Sequence, residues 1–277
     1  MFSMFSRPTE HIFDHTFQMS AALASGDAAH RDSILTLRLR RFVFAVVSLP
    51  LCAFISCVII SLCKDFEEVN RTHCKVYNFL PSISSSIGNN SPQTYIWRLG
   101  VAFHLTPRLI LAFSYYGWYR KLDHNRWRYD SAYRRLCKCS LVFHIAEIAC
   151  LAGLTFLSSS ENFSIHEKSF IGFAICSWLY MVTTCMLFRM QKTKWLSTTR
   201  LKCWILSVFC MAVLGISYTY WRHNAYCEPY VYSMFALFEY ITVLCNMAFH
   251  TTAAWDFKDY AVLVSSTKGL PGVEELL

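Results

Sequence analysis

The hydrocarbon core of a bilayer is about 30 Å thick, and a helix needs roughly 20 apolar residues to cross it. Three stretches of this 277-residue chain reach that length without Asp, Glu, Lys, Arg or His: 42–63, 169–188 and 203–221. Three more have the length but carry polar groups: 95–117 with Arg98, His104 and Arg108, 139–157 with His144 and Glu147, and 231–254 with Glu239, Asn246 and His250. Six such runs buried in a soluble protein would leave too little polar surface to cover them. Composition agrees: 55% of residues are hydrophobic and 16% are charged, where soluble chains carry about 25% charged residues. The fold class is therefore all-α, a polytopic membrane protein built as a bundle of six transmembrane helices. The expected organisation is a disordered extension over 1–33, the helical domain over 34–257 and a tail over 258–277.

Basic residues mark one side. The segment before the first span holds Arg31, Arg38, Arg40 and Arg41. The connection between spans two and three holds Arg120, Lys121, Arg126, Arg128, Arg134, Arg135 and Lys138, and that between four and five holds Arg189, Lys192, Lys194, Arg200 and Lys202. The other three connections are poor in Lys and Arg. The positive-inside rule puts the basic side, and with it both termini, in the cytoplasm. The net charge of +8 is then loop charge facing an anionic leaflet rather than a nucleic-acid footprint. The first span acts as an uncleaved signal-anchor, since residues 1–30 have no apolar core of the signal-peptide kind.

Most of the thirteen cysteines fall inside spans, where Cys packs as a small apolar residue. Two lie in the non-cytoplasmic connections, Cys74 and Cys227. An oxidising lumen predicts a disulfide between them, the alternative being two free thiols. Asn70, Asn89 and Asn162 head N-x-S/T sequons on the same side, each close to a span.

Charged groups at mid-membrane are costly and turn inward to find partners. Counting along the spans puts His104, Arg108, His144, Glu147 and Glu239 in one layer of spans two, three and six. Asn246 and His250 continue the stripe on span six. These three spans are expected to surround a polar core while spans one, four and five face lipid more. That core is read either as a satisfied ion-pair network that sets helix register or as a cavity for a lipid head group.

The polar clusters of the connections read HCKVYNFLPSISSSIG (73–88), PQTYIWR (92–98), SSSENFSIHE (158–167) and WRHNAYCEPYVY (221–232). The last runs on into FALFEYITVLCNMAFHTTAAWDF, ending at Phe257. In this order they resemble the Frag1/DRAM/Sfk1 family of polytopic membrane proteins over about residues 34–257. The N-terminal extension and the connection between spans two and three depart from the family pattern.

The resemblance implies GPI-anchor lipid remodelling in the Golgi membrane, with the endoplasmic reticulum membrane as a second location. The step implied is reacylation of lyso-GPI at sn-2 with a saturated fatty acid, which the protein either catalyses or is required for. The alternative is a non-enzymatic scaffold that presents lyso-GPI to a separate acyltransferase. A transporter is a weaker third reading, because no internal repeat or paired broken helices are visible. The partners implied are lyso-GPI, an unidentified acyl donor and membrane lipids. No nucleic acid, cofactor or metal is expected.

Acyl transfer to a hydroxyl needs a general base and donors for an oxyanion. His73, His166 and His223 are the lumenal candidates for the base, with Glu167 and Glu228 as orienting carboxylates. Arg98 and Arg222 are suited to the anchor phosphate. The substrate-binding candidates in the membrane are His104, Arg108, His144, Glu147, Glu239, Asn246 and His250. No recognised acyltransferase signature is present: His124 and Asp130, and His250 and Asp256, are each one residue too far apart for H-x4-D, and G-x-S-x-G is missing.

Overall fold

The computed structural model describes residues 33–88, 90–126, 131–191 and 196–265. In chain order they form β1 (Ser33–Arg38), α1 (Leu39–Lys64), α2 (Phe66–Val69), α3 (Ile83–Gly88), α4 (Gln93–Arg126), α5 (Ser131–Phe156), α6 (Phe163–Gln191), α7 (Leu196–Tyr226), α8 (Val231–Thr251), α9 (Ala253–Asp256) and β2 (Ala261–Ser265). Among the described residues, α1, α4, α5, α6, α7 and α8 are the six helices long and apolar enough to cross a membrane. The extension before residue 33, Asn89, Asp130 and the tail beyond 265 lie outside what is described.

In hydrocarbon a helix satisfies every backbone group within its own segment, which is why these runs are helical despite abundant Phe, Val and Ile. Pro50 and Pro107 sit inside α1 and α4, and both helices continue past them. The start of α6 is fixed locally: Asn162 Oδ1 accepts the N–H of Ile165 at 3.1 Å, a side-chain cap on an otherwise orphan donor.

Helix contact depends on small residues. A Cβ on Gly100 of α4 would stand 2.7 Å from Ala53 Cβ of α1, and one on Gly215 of α7 would stand 2.7 Å from the Phe238 ring of α8. Lipid tails are as apolar as leucine, so close backbone approach replaces water expulsion as the source of packing energy.

One expectation is corrected here. Spans one, four and five were expected to face lipid more than the other three, which holds for the fifth only. Instead α6, the fourth span, buries 44% of its apolar window, the largest share of the six, and α7 buries 22%, the smallest. Ser177, Tyr180 and Thr184 of α6 turn inward, because hydroxyls in hydrocarbon seek partners. The first span is also engaged, with Phe54 and Cys57 packed against Trp97 and Val101 of α4. Trp204, Met211, Leu214 and Tyr218 are exposed along α7.

The connections after α1 and after α7 are tied together by a Cys74–Cys227 disulfide. The Tyr230 N–H donates to the Tyr77 carbonyl at 3.0 Å, and Ser233 Oγ accepts the N–H groups of Phe79 and Leu80 at 2.9 and 3.2 Å. Lys75, Cys227 and Tyr230 all take positive φ. Each such non-glycine residue costs on the order of 1 kcal/mol and persists only where its surroundings over-determine it, as these cross-links do. The chain then dips back so that α3 buries Ile83, Ser86 and Ile87, with Tyr240 Oη donating to the Pro81 carbonyl at 2.8 Å.

A separate small unit pairs β1 with β2 antiparallel, Arg38 opposite Ala261 and Thr36 opposite Leu263. This ribbon was not anticipated. Its residues, SILTLR and AVLVS, are the β-branched and apolar types that suit strands.

Two outcomes are expected. Cys74→Ser opens a link spanning 153 residues, so it should cost about 2–5 kcal/mol and lower the melting temperature. Alkylation of both native thiols without reductant would show that the link does not form. Asn70 is 5% exposed and its amide donates to the Phe66 carbonyl at 2.9 Å, so Asn70→Gln should leave the endoglycosidase-sensitive mobility of the protein unchanged.

Candidate functional site

The buried polar layer is assembled from four helices. Arg108 comes from α4, His144 and Glu147 from α5, Ser177 and Tyr180 from α6, and Asn246 and His250 from α8. Arg108 Nη2 donates to Glu147 Oε1 at 2.5 Å, and Asn246 Nδ2 donates to the same oxygen at 2.5 Å and approaches Ser177 Oγ at 3.1 Å. Both charged partners are buried, Arg108 at 2% and Glu147 at 0% exposure. His104 Nδ1 lies 2.9 Å from the Val46 carbonyl of α1. A carbonyl only accepts, so Nδ1 carries the proton and Nε2 is free to accept from Arg108 Nη1 at 3.5 Å.

His250 is more constrained. Arg108 also donates to its Nε2, which also stands 3.3 Å from Glu147 Oε1. Guanidinium is a donor only, so in the neutral ring Nε2 accepts and the contact with Glu147 is not a hydrogen bond. The rings of His144, Tyr180 and His250 stack, with His144 4.3 Å from Tyr180 and Tyr180 5.2 Å from His250. His144, Glu147 and His250 have the spacing of a three-ligand metal cluster, their ligand atoms within 4.8 Å of one another. Arg108 already occupies lone pairs of two of them, and a guanidinium beside a dication is strongly unfavourable at low dielectric. The layer therefore suits a positioned guanidinium better than a metal.

A second buried ion pair lies toward the basic end, and sequence reasoning missed it. Lys202 Nζ stands 2.7 Å from Asp256 Oδ2, both fully buried. Tyr115 Oη donates to the same oxygen at 2.6 Å, Lys202 also reaches the Thr252 hydroxyl, and its ammonium lies over the Phe188 ring at 4.9 Å. Lys202 had been read as a loop charge and Asp256 only as part of a failed motif. The usable signal was their position: each abuts an apolar run, on spans that are neighbours in sequence.

At the opposite end, which carries the disulfide, a narrow cleft of about 70 Å³ opens to the outside. Its walls are mostly apolar, from Trp97 and Val101 of α4, Leu151 and Leu154 of α5 and Phe173 of α6. Polar groups converge on it at two levels. Ser84 of α3, His166 of α6 and Glu239 of α8 line it, as do His104, Arg108 and Asn246 of the buried layer. Glu239 Oε2 accepts the Ile83 N–H at 2.9 Å, which pins α3 to α8 and holds Ser84 against the cleft. His166 Nδ1 lies 2.9 Å from the Leu157 carbonyl. By the same logic as for His104, Nδ1 is protonated and Nε2 carries a free lone pair.

The remaining site candidates sort differently from expectation. The three histidines do not form one cluster: His73 and His223 face each other at 5.3 Å beside the disulfide, while His166 lines the cleft. Neither expected carboxylate orients a base. Glu167 is exposed, and the Leu157 carbonyl takes the role assigned to it. Glu228 forms a two-point pair with Arg222, at 2.6 and 3.0 Å, and Arg222 holds its carboxyl below the usual range. Arg98 is likewise engaged, 2.9 Å from Glu161. The Ser158 N–H first, and Arg98 next, pull the Glu161 carboxyl down to about 2. Both arginines expected to meet an anchor phosphate thus already hold carboxylates, because an exposed guanidinium takes the nearest fork-shaped acceptor.

A bundle of six membrane-length helices around a buried Arg–Glu–His–Asn layer, with an apolar cleft at one end, defines the class: a polytopic membrane protein. Residues 38–260 match the family described as Frag1/DRAM/Sfk1/Cwh43P N-terminal domain, and the chain belongs to that family. It is 39% identical over 244 residues to "Acyltransferase PGAP2" of Xenopus tropicalis, covering 85% of this chain and 94% of that one. It is 37% identical over 260 residues to "Post-GPI attachment to proteins factor 2" of Caenorhabditis elegans, covering 89% and 94%. The protein of that name in Drosophila melanogaster is 38% identical over 244 residues, covering 86% and 92%. No solved structure matches.

Breaking a buried ion pair by removing one partner costs about 3–5 kcal/mol, whereas replacing both by apolar groups is often tolerated. Glu147→Gln should therefore lower the melting temperature and the cellular protein level, and the double variant Glu147→Leu with Arg108→Met should recover much of the loss. Identical melting of Glu147→Gln and wild type would show that the pair does not hold the bundle.

Proposed function

We propose that this chain acts in the maturation of GPI-anchored proteins, reacylating lyso-GPI at sn-2 with a saturated fatty acid in the Golgi membrane. The basic end and both termini face the cytoplasm, and the cleft end faces the lumen. The observation that carries the reading is His166, which lines an apolar cleft together with Ser84 and whose Nδ1 is held by the Leu157 carbonyl, leaving Nε2 as the accepting nitrogen. The names borne by its relatives point to acyl transfer and to GPI attachment, and His166 is the base this reading uses.

In this reading the lyso-GPI hydroxyl gives its proton to His166 Nε2 as it attacks the acyl carbonyl. The Leu157 carbonyl keeps the ring in the tautomer that can receive that proton. Ser84 is the hydroxyl donor available to the developing oxyanion, positioned by the bond from the Ile83 N–H to Glu239. His104, Arg108 and Asn246 form the floor. His73 and His223 belong to the disulfide-bonded cap, and Arg98 and Arg222 to its framework.

Loss of a general base costs typically about 10²–10⁴-fold. In cells lacking the native protein, His166→Ala should be made at normal level yet fail to restore saturated sn-2 chains or surface GPI-anchored proteins, because the lyso forms are shed. His73→Ala should restore both. Mass spectrometry of the anchor lipid reads the result. Normal sn-2 chains with His166→Ala remove His166 from the reaction. Purified protein that binds lyso-GPI but gives no turnover with any acyl donor would mark it as a presenting scaffold instead.

A further inference from the structure

The cleft occupies only one half of the bundle. Its lining stops at Arg108 on α4, begins at Leu151 on α5, stops at Phe173 on α6 and stops at Met247 on α8. From Trp97 to Arg108 the α4 axis rises about 16 Å, close to the roughly 15 Å that one leaflet contributes to a 30 Å core. Beneath the floor the described residues pack the bundle closed. The Arg108–Glu147–His250–Asn246 layer comes first. Below it lie the fully buried Lys202–Asp256 pair with Tyr115, and then Trp118, Tyr119, Phe188 and Phe257 in mutual ring contact. Trp118 is 6% exposed and the other three rings 2% or less.

From these observations we infer that acyl donor and acceptor enter from the same leaflet, and that the donor is the ester of a glycerophospholipid in that leaflet rather than a soluble acyl thioester. The inference rests on the acyl-transfer reading above. A nucleotide thioester supplied at the basic end has no path to His166 through the shut half. Supplied at the cleft end, it needs cations for its phosphates. Among the cleft-lining residues the one guanidinium is Arg108, buried and committed to Glu147, while Arg98 nearby is committed to Glu161. The walls offer apolar surface along one leaflet's depth, which is what an acyl chain already lying in the membrane presents.

The step balances as a transacylation. The sn-2 oxygen of lyso-GPI forms a bond to the donor's ester carbonyl and its proton passes to His166 Nε2. The bond from that carbonyl to the donor glycerol oxygen then breaks, and the proton returns from His166 to the departing oxygen. The products are remodelled GPI and one lysophospholipid, with no oxidant, reductant or nucleotide consumed.

The test uses the purified full-length protein with a lyso-GPI-anchored acceptor in two reconstitutions. In the first, vesicles of mixed phosphatidylcholine, phosphatidylethanolamine and phosphatidylserine carry deuterated stearoyl esters. In the second, the vesicles are of ether-linked phospholipid, which has no ester to give, and deuterated stearoyl-CoA is added. The expected result is the deuterium mass shift on the acceptor in the first only, with about one lysophospholipid formed per chain moved, and loss of both with His166→Ala. Transfer from the thioester, with or without transfer from the esters, overturns the donor assignment while leaving acyl transfer intact. Transfer in neither arm overturns the assignment and the acyl-transfer reading together.

Discussion

An ionised group in hydrocarbon has no water to face, so its partners must come from the protein. Arg108 is the extreme case: a full charge on a long side chain, near the middle of a span, at 2% exposure. Satisfying it draws in Glu147 from α5, His250 from α8 and His104 from its own helix, and Glu147 in turn draws in Asn246. Such an arrangement contributes little net stability over an apolar equivalent. What it supplies is register. A helix that slid by one turn would strand a charge in lipid, so three spans are locked at one height. The apolar packing, the Gly100 contact with Ala53 included, is built around that height.

The layer also divides the bundle into unlike halves. Toward the basic end the interior is closed by Lys202, Asp256, Tyr115 and a cluster of large rings. Toward the disulfide end the same helices part around an apolar cleft, roofed by α3. The roof is held by the disulfide, by Ser233 reaching two backbone N–H groups and by Glu239 reaching a third. A chemical centre for lipids benefits from this asymmetry. The floor and closed half fix the helices, and the connections above bring polar groups to the apolar walls.

How much of this the sequence makes legible follows from how strong a physical penalty each feature evades. Six spans are legible because membrane thickness sets a length that few soluble helices meet. Arg108, His144 and Glu147 are legible as one layer because leaving any of them alone is so costly. Lys202 and Asp256 are not, because a charge at a span's end has a second option: it can snorkel to water, and nothing in the residue order says which option it takes. The inward face of α6 was missed because Ser177 and Thr184 are small hydroxyls in an apolar run, free in principle to bond their own backbone. The orientation of His166 by Leu157 was invisible for a different reason: its partner is a backbone carbonyl, and every residue has one. The β1–β2 ribbon joins the start of the segment read as helical domain to the segment read as tail, where a strand of five or six residues carries a weak signal.

That carbonyl is itself held in place. Glu161 accepts the N–H of Ser158 at 2.8 Å, the residue next to Leu157, and is gripped from α4 by Arg98. So the chain from Arg98 through Glu161 and Ser158 reaches the oxygen that sets the tautomer of His166. The sign of its pH response is clear. The folded-state pKa of Glu161 is depressed to about 2, below the value near 4.3 of a free glutamate. The contribution of this anchor is therefore complete above the free value and is lost only as pH falls through about 2. From neutrality to mild acid the anchor does not change state. A pH dependence of chemistry in that range therefore does not originate in this anchor.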